Sequence, residues 1–317
     1  MKYISAFSGI EAASVAWRPL GWEPVAFSEI DPFPSAVLAE RFPDVPNLGD
    51  ITKVDWKRWR GKCDLVVGGS PCQSFSVAGK REGLKGESGL MFEYVRAIRE
   101  IRPRWLVWEN VPGALSSEGG EAFRCLLSEL DKLGYGLAWR VLDAQFFGVA
   151  QRRRRVFLVG RLGEQPPACV LFEPEGLRGD TPSSREKRQE LAAAAGRGAS
   201  RAGGDGAIAV QGSMIGRSDE NGPQGCGWET DGACFTLNCA DRHAVTAPRM
   251  AVRRLTPREC ERLQGFEDDW TRIPYRGRPA EECPDGPRYK AIGNSMAVPV
   301  MRWIGERIAM CERGEIR

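Results

Sequence analysis

Short apolar runs alternate with amphipathic stretches along the first 160 residues of the chain. The runs have the length of buried strands, whereas the stretches between them space their apolar residues as one face of a helix does. Glycine or proline marks several of the changes, such as Gly21 after the first helix and Pro103 after the third. The pattern predicts strands at 3–7, 25–28, 64–67, 105–108, 135–142 and 156–160, and helices at 10–20, 31–41, 90–101 and 121–133. This order is typical of an α/β fold with an open, largely parallel sheet.

The α/β pattern stops between residues 165 and 250. Residues 178–206 are rich in Arg, Ala, Gly and Ser without a sustained period, which predicts a flexible segment. The pattern returns near Thr256, a predicted N-cap whose capping box is completed by Glu259. A last helix is predicted from about Met296 to Cys311, with Gly293-Asn294-Ser295 at its start offering amide donors to an anion. We therefore expect one domain of residues 1–164 plus 251–317 and a small, irregular or β-rich inserted domain over 165–250.

Composition argues against several classes of protein but does not identify a function. The 45 basic and 42 acidic residues give a net charge of only +3, so any basic surface must be local. The ten cysteines form no CxxC pair and the chain has a single histidine, which argues against a zinc site. No apolar run approaches the roughly 20 residues of a membrane helix. These features predict a reduced, cytoplasmic protein that needs no metal.

Polar residues follow the predicted strands at the edge where open α/β sheets place their chemistry. The strand at 64–67 leads to Gly-Gly-Ser-Pro and then to Cys72, which stands among small polar residues, as a nucleophile would. The strand at 105–108 leads to Glu109, whose apolar flanks predict a raised pKa suited to a proton donor. The alternatives are an inert core cysteine and a surface carboxylate.

The first βαβ unit has the layout of a nucleoside site. Glu29 follows Gly9 by 20 residues, the spacing at which an acid accepts hydrogen bonds from a ribose. The turn has one glycine, and Glu11 early in the helix would repel phosphate, so a nucleoside without pyrophosphate fits better. Asp50 and Ile51 at a third strand-to-helix edge are placed to bind and cover an adenine. Both places could instead be ordinary turns.

Two further stretches are candidates for binding phosphates. Residues 76–89 hold four glycines and three basic residues without a hydrophobic period, which predicts either an active-site lid or a solvated loop. Arg152–Arg155 run into a strand, where alternate side chains point to opposite faces. Half of these arginines are expected to face the site, although the run could serve only solubility.

Taken in order, these motifs closely resemble those of the DNA (cytosine-5)-methyltransferase family, in particular its short phage and bacterial members. The matching segments cover nearly the whole chain outside 165–250: Pro71-Cys72, Glu109-Asn110-Val111, Gln151-x-Arg153-x-Arg155, Arg254-Leu255-Thr256-Pro257-Arg258-Glu259 and Gly293-Asn294-Ser295. Several motifs in the family's order are far more specific than any one of them.

The resemblance implies a Rossmann-like, S-adenosylmethionine-binding domain with an inserted target-recognition domain. It implies that Cys72 is the nucleophile, that Glu109 is the acid, and that Arg155 helps to hold the flipped base. It also places Arg153 among the catalytic residues. The residues that it places in the cofactor site are Phe7, Gly9, Glu29, Asp50, Ile51, Pro71, Leu90, Asn294 and Ser295. It also implies duplex DNA as the substrate, a monomer, and no membrane or metal. Whether a cognate restriction endonuclease exists stays open.

Other functions are compatible with parts of this pattern. An RNA (tRNA) cytosine C5 methyltransferase would use the same chemistry, and a catalytically silent DNA-binding relative would share the fold. Such a silent relative is expected to lack Cys72 or Glu109, and both are present. A nicotinamide-dependent oxidoreductase is disfavoured because the second and third turn glycines are missing.

Overall fold

The computed structural model describes residues 1–71, 89–163, 165–172, 208–210, 228–229, 244–246 and 252–316. Its strands are β1 (Lys2–Ala6), β2 (Glu23–Ser28), β3 (Leu65–Gly68), β4 (Trp105–Asn110), β5 (Tyr135–Asp143), β6 (Arg154–Leu162), β7 (Ile208–Val210), β8 (Trp228–Glu229), β9 (Ala244–Thr246) and β10 (Val252–Arg254). Its α-helices are α1 (Ala12–Trp17), α2 (Pro32–Arg41), α3 (Gly89–Ile101), α4 (Glu121–Lys132), α5 (Ala168–Leu171), α6 (Pro257–Gln264), α7 (Asp285–Asn294) and α8 (Val298–Glu312). Cys72, residues 76–88 of the predicted lid at 76–89, and the predicted flexible segment at 178–206 lie outside the described residues.

The chain divides into two compact units. The first contains residues 1–142, 154–179 and 301–317, and the second contains residues 143–153 and 180–300. Residues 143–153 and 251–300 thus group with the inserted region, whereas the sequence placed them in the larger domain. In the part of the chain that the structure describes, no helix is long and apolar enough to cross a membrane.

A six-stranded sheet organises the first unit, in the order β2-β1-β3-β4-β6-β5. β1 pairs in parallel with β2 and β3, and β3 pairs in parallel with β4, while β6 runs antiparallel to β4. The register aligns Ala6 with Gly68, and Gly68 with Trp108. The residues that follow these three strands therefore emerge at one edge of the sheet.

Close packing beneath β3 fixes this register. A Cβ at Gly68 would lie 2.7 Å from the Ala6 carbonyl oxygen, so only glycine fits here. The fully buried Tyr94 of α3 has its hydroxyl 3.2 Å from Val66 O and 3.0 Å from Val107 O. Because Tyr94 reaches the backbones of both β3 and β4, it links the two strands that carry the predicted catalytic motifs.

β4 and β6 are longer than their apolar runs predicted. Glu109 and Asn110 belong to β4, opposite Phe157 and Val156, and Arg154 and Arg155 belong to β6. Pairing with β6 provides partners for the backbone N–H and C=O groups of Glu109 and Asn110, so these polar residues remain part of the sheet. The predicted glutamate therefore lies on the strand itself.

The end of the chain packs on the first unit. Trp17 of α1 is fully buried and donates its indole N–H to Met301 O at 2.7 Å. Gly305 lies against the same indole ring, where an added Cβ would clash with it. The absence of a side chain at Gly305 thus allows the close approach of α8 to α1.

In the second unit, the predicted capping box is present. Thr256 and Glu259 exchange side-chain-to-backbone hydrogen bonds at the start of α6, and Gly265 ends that helix in the left-handed region. The expected helix start at Gly293-Asn294 was wrong, because both residues are the last of α7 and Ser295 is its C-cap. These residues therefore present no N-terminal amide donors to an anion. The described strands of this unit form the antiparallel order β10-β9-β7-β8.

Glu11 caps α1 from a buried position. It adopts the left-handed region (φ 66°) and accepts hydrogen bonds from Ser14 N at 3.1 Å and from Ser14 Oγ at 3.0 Å. Its side chain is 1% exposed, and burial raises the pKa of this carboxyl from 4.5 to about 7. The folded protein thus holds a proton there at pH values at which the unfolded chain has released it. The stability that this proton confers is fully present below pH 4.5 and is lost as the pH rises to about 7.

We predict that Gly305→Ala lowers the free energy of unfolding by about 1–3 kcal/mol, because the added methyl group must displace the Trp17 ring. Gly286→Ala, in α7, is the matched control, since an added Cβ there meets nothing within 4 Å. Urea denaturation should show the control to be neutral or slightly stabilised. Equal losses in both variants would contradict the packing account.

We predict that Glu11→Gln, which keeps an oxygen acceptor and removes the charge, changes the free energy of unfolding more favourably at pH 8 than at pH 5. The difference should reach up to about 3 kcal/mol, since the wild type bears a buried charge only at the higher pH. Urea denaturation at both values measures it, with the exposed Glu23→Gln as control. A pH-independent effect of Glu11→Gln would show that this carboxyl titrates normally.

Candidate active site

The turn after β1 is tied to the end of β2 by Glu29. Phe7 and Gly9 both adopt positive φ, 53° and 57°, and the amide of Gly9 donates to Glu29 Oε2 at 2.8 Å. Glu29 Oε1 accepts from the Asp31 amide at 2.7 Å, and burial raises the pKa of this carboxyl. Each carboxylate oxygen keeps a further lone pair, so Glu29 can also accept bonds from a diol such as a ribose. An added Cβ at Gly9 would meet nothing within 4 Å, so the turn has open space beside it.

Ile30, next to Glu29, was missed by the sequence analysis. It is 71% exposed, the highest value among the exposed large hydrophobic residues of the described chain. An apolar side chain exposed to solvent beside Glu29, the acid predicted to bind a ribose, is suited to cover a flat base. The signal was present as an aliphatic residue directly after the strand-end acid.

Asp50 and Ile51 begin a single 3-10 turn, Ile51–Lys53. Asp50 Oδ1 accepts from the Thr52 amide at 3.0 Å and from its hydroxyl at 2.8 Å, and these bonds lower the pKa of the Asp50 carboxyl. Ile51 is 4% exposed and belongs to the core. The structure thus favours a turn-capping role for Asp50 and a packing role for Ile51.

The ends of β3 and β4 are joined by side chains around Ser70. Trp108 Nε1 donates to Ser70 Oγ at 3.3 Å, and Asn110 Nδ2 donates to Ser70 O at 3.1 Å. Asn110 Oδ1 in turn accepts from the Val111 amide at 2.9 Å. Ser70 is buried, whereas Pro71 after it is exposed. The peptide that leads into Cys72 is therefore held against the strand that carries Glu109.

Glu109 and Arg155 form an ion pair across β4 and β6. Arg155 Nε lies 3.1 Å from Glu109 Oε1, and both side chains are largely buried. Arg154, its neighbour along β6, is exposed, as strand alternation predicts. The structure thus brings together two of the predicted catalytic side chains, both close to the Ser70 peptide by strand order. The predicted raised pKa of Glu109 stays a prediction.

In the second unit, Arg153 contacts Ser295 of the Gly293-Asn294-Ser295 motif. It is 3% exposed and donates through Nη2 to Ser295 O at 2.6 Å. Gln264 Nε2 donates to Ile292 O at 2.9 Å, which fixes the same end of α7, where Asn294 is exposed. Arg153 and Ser295 are thus brought together through a backbone carbonyl. Leu90 lies half-buried in α3 of the first unit.

Comparison with known proteins agrees with this arrangement. The family model for C-5 cytosine-specific DNA methylases matches residues 1–196 and 207–310. The chain is 33% identical over 321 residues to a type II methyltransferase, M2.BsuMI, of Bacillus subtilis, covering 98% of this chain and 75% of that protein. It is 36% identical to a protein of Escherichia phage P1 named DNA N-6-adenine-methyltransferase, covering 99% of this chain. The chain spans 62% of the length of that phage relative.

Solved structures share the fold at low sequence identity. The Schizosaccharomyces pombe Dnmt2 methyltransferase superposes with a TM-score of 0.68 at 18% identity, covering 99% of both chains. A Dnmt2 of Spodoptera frugiperda gives a TM-score of 0.66 at 16% identity, covering 97% of this chain and 99% of that one. The predicted Rossmann-like α/β fold is confirmed, and so is the resemblance that the ordered motifs indicated. The chain belongs to the C-5 cytosine-specific DNA methylase family, whose enzyme class is the DNA cytosine-5 methyltransferase.

Proposed function

We propose that this protein transfers a methyl group from S-adenosylmethionine to carbon 5 of a cytosine flipped out of duplex DNA. The observation that carries the proposal is the Ser70 peptide, bonded to β4 beside the Glu109–Arg155 ion pair and followed two residues later by Cys72. The family match over both parts of the chain supports the same conclusion.

The chemistry explains why these residue types are needed. Carbon 5 of cytosine is a poor nucleophile, and addition of the Cys72 thiolate to carbon 6 breaks the aromaticity and moves charge onto carbon 5 and nitrogen 3. Glu109 protonates or hydrogen-bonds nitrogen 3 and so stabilises that charge. Carbon 5 can then form a bond to the methyl group; a base afterwards removes the proton from carbon 5, and the bond between Cys72 and carbon 6 breaks to restore the aromatic ring. The cytosine must leave the base stack for this chemistry to occur.

Arg155 orients Glu109 in this scheme. Its guanidinium is 3.1 Å from the Glu109 carboxylate and has further N–H groups with which to bind the base. We assign Arg153 a positioning role, because its side chain binds the carbonyl of Ser295. The resemblance placed Arg153 among the catalytic residues, without a stated role.

The residues of the first unit suit an adenosine ligand without phosphates. Glu29 has lone pairs for a ribose, Ile30 provides an exposed apolar surface, and the turn around Gly9 is open. When bound, the cofactor supplies an activated methyl group on a sulfonium. We keep Phe7, Gly9, Glu29, Pro71 and Leu90 as proposed cofactor-site residues. Asp50 and Ile51 also stay proposed cofactor-site residues, and the roles that the resemblance implied for Asn294 and Ser295 stay predictions.

The remaining proposals concern partners. All the proposed catalytic residues come from one chain, so we propose a monomer acting on duplex DNA in the cytoplasm. In the proposed scheme Glu109 stabilises the charge that develops on nitrogen 3, and the scheme therefore requires no metal ion for that step. The names of the relatives differ on a restriction partner: the Bacillus protein is a type II methyltransferase, and a relative in Bacillus phage rho11s is an orphan methyltransferase. The target sequence is proposed to be specified within 165–250, most of which lies outside the described residues.

A second candidate activity is methylation of adenine N6, which the name of the phage P1 relative specifies. An exocyclic amine attacks a methyl donor directly and needs no covalent enzyme adduct. Cys72, which follows β3 by four residues in the sequence, would then have no role. A third candidate, methylation of tRNA, would keep the role of Cys72 and change only the nucleic acid.

The test is methyl transfer from labelled S-adenosylmethionine to duplex DNA and to tRNA, followed by mass spectrometry of the nucleosides. We predict 5-methylcytosine in DNA and neither N6-methyladenine nor labelled tRNA. Cys72→Ser should lower the rate by about a thousandfold or more while leaving cofactor binding near normal. Cys125→Ser, at a half-buried cysteine of α4, is the matched control and should stay active.

Three outcomes would contradict the proposal. N6-methyladenine as the product would favour the adenine activity, and labelling of tRNA alone would favour the RNA enzyme. Full activity of Cys72→Ser would exclude covalent catalysis by that residue.

A further inference from the structure

Two cysteines lie side by side where the C-terminal helix packs on the rest of the first unit. Cys169 lies in α5 and Cys311 lies in the last turn of α8, and their sulfur atoms are 3.8 Å apart. A disulfide bond is about 2.05 Å long, so the sulfurs would have to move together by about 1.8 Å. Rotation about the two Cα–Cβ bonds moves sulfur atoms over such distances, so the pair is within reach of bond formation.

Hydrogen bonds on both sides hold the two cysteines in register. Arg307 of α8 donates to the carbonyl oxygens of Cys169 at 3.1 Å, of Val170 at 2.9 Å and of Phe172 at 3.0 Å. Arg161 of β6 donates to Cys311 Sγ at 3.6 Å and to Glu312 Oε1 at 3.5 Å. Because Arg307 bonds α8 to the backbone of α5 and Arg161 bonds the end of α8 to β6, the thiols meet in the folded state without further ordering of the chain.

The two thiols differ in their access to solvent. Cys169 is half-buried, whereas Cys311 is 9% exposed. A small oxidant in solution therefore reaches Cys169 first and finds Cys311 directly behind it. An accessible thiol next to a protected second thiol is the arrangement that resolves an oxidised cysteine into a disulfide.

We propose that Cys169 and Cys311 form a redox-active thiol pair that a peroxide converts into a disulfide bond. The Cys169 sulfur attacks one peroxide oxygen, breaks the O–O bond and becomes a sulfenic acid, with release of one water molecule. The Cys311 sulfur then attacks the sulfenic sulfur and expels the hydroxyl group as a second water molecule. Two thiols lose two electrons and two protons in total, and the peroxide is reduced to two water molecules.

The bond would cross-link two segments of the first unit, one before and one after residues 180–300 of the second unit. The chain leaves the first unit after residue 179 and returns to it at residue 301, so the loop closed between 169 and 311 contains all of 180–300. Cross-linking so long a loop restricts the unfolded chain strongly. Oxidation should therefore stabilise the docking of α8 on the first unit, and a thiol reductant should reverse the effect.

The experiment treats the full-length reduced protein with hydrogen peroxide, blocks the remaining thiols by alkylation, and maps the peptides without reduction. We expect the peptides of Cys169 and Cys311 to be recovered as one linked species with two hydrogens fewer than the separate peptides. The thermal midpoint of the oxidised protein should rise by at least about 3 °C and return after dithiothreitol.

Variants separate the pair from the other cysteines. Cys169→Ser should lose both the linked peptide and the thermal shift, whereas Cys125→Ser, the half-buried control in α4, should keep both. In Cys311→Ala the sulfenic acid of Cys169 should persist and react with dimedone. Should Cys311→Ala fail to fold, Cys169→Ser decides alone, because its site is half-buried.

The proposal is overturned if, after peroxide treatment of the folded wild-type protein, Cys169 and Cys311 are recovered in separate peptides, each oxidised or alkylated on its own. It is also overturned if the thermal shift survives in Cys169→Ser. Neither result depends on methyl transfer, so the test is independent of the proposed catalytic function.

Discussion

The parallel register of β1, β3 and β4 is the constraint on which the proposed site depends. Gly68 lets β3 approach the Ala6 carbonyl, and Tyr94 reaches the carbonyls of Val66 and Val107 from below. A slip of one residue would turn every side chain to the opposite face. The same register brings Ser70 to Trp108 and Asn110, so packing in the core and the geometry of the catalytic edge have a common cause.

The antiparallel strand β6 places the positive charge of Arg155 beside Glu109 of β4. Glu109 stands in a largely buried position on β4, and an isolated carboxylate there would be costly. Arg155 of β6 lies 3.1 Å from Glu109 and compensates the charge, and its Nη1 donates to the Arg154 carbonyl at 2.8 Å. Since buried ion pairs contribute little net stability, the pair is consistent with the proposed role of Arg155 in orienting Glu109.

Local rules predicted the elements of the fold well. Apolar period and chain breakers located the strands and helices of the first unit, and the Thr256–Glu259 capping box was predicted from four residues of sequence. Contacts between distant residues were not predictable in this way. The Trp108–Ser70 bond, the burial of Ile51 and the contact of Arg153 with Ser295 each depend on which strands and helices become neighbours. The helix end at Asn294 was also missed, because Gly-Asn-Ser can begin or end a helix and tertiary packing decides between them.

The most direct test of the account is to trap the covalent intermediate. Sequencing of methylated cytosines in cells that express the protein first identifies its target, and a duplex with 5-fluorocytosine at that position is then incubated with enzyme and S-adenosylmethionine. Fluorine cannot leave carbon 5 as a proton does, so we predict an adduct that survives denaturation and maps to Cys72. Methylation of the normal duplex without any adduct on the fluorinated one, or an adduct at another cysteine, would contradict the account.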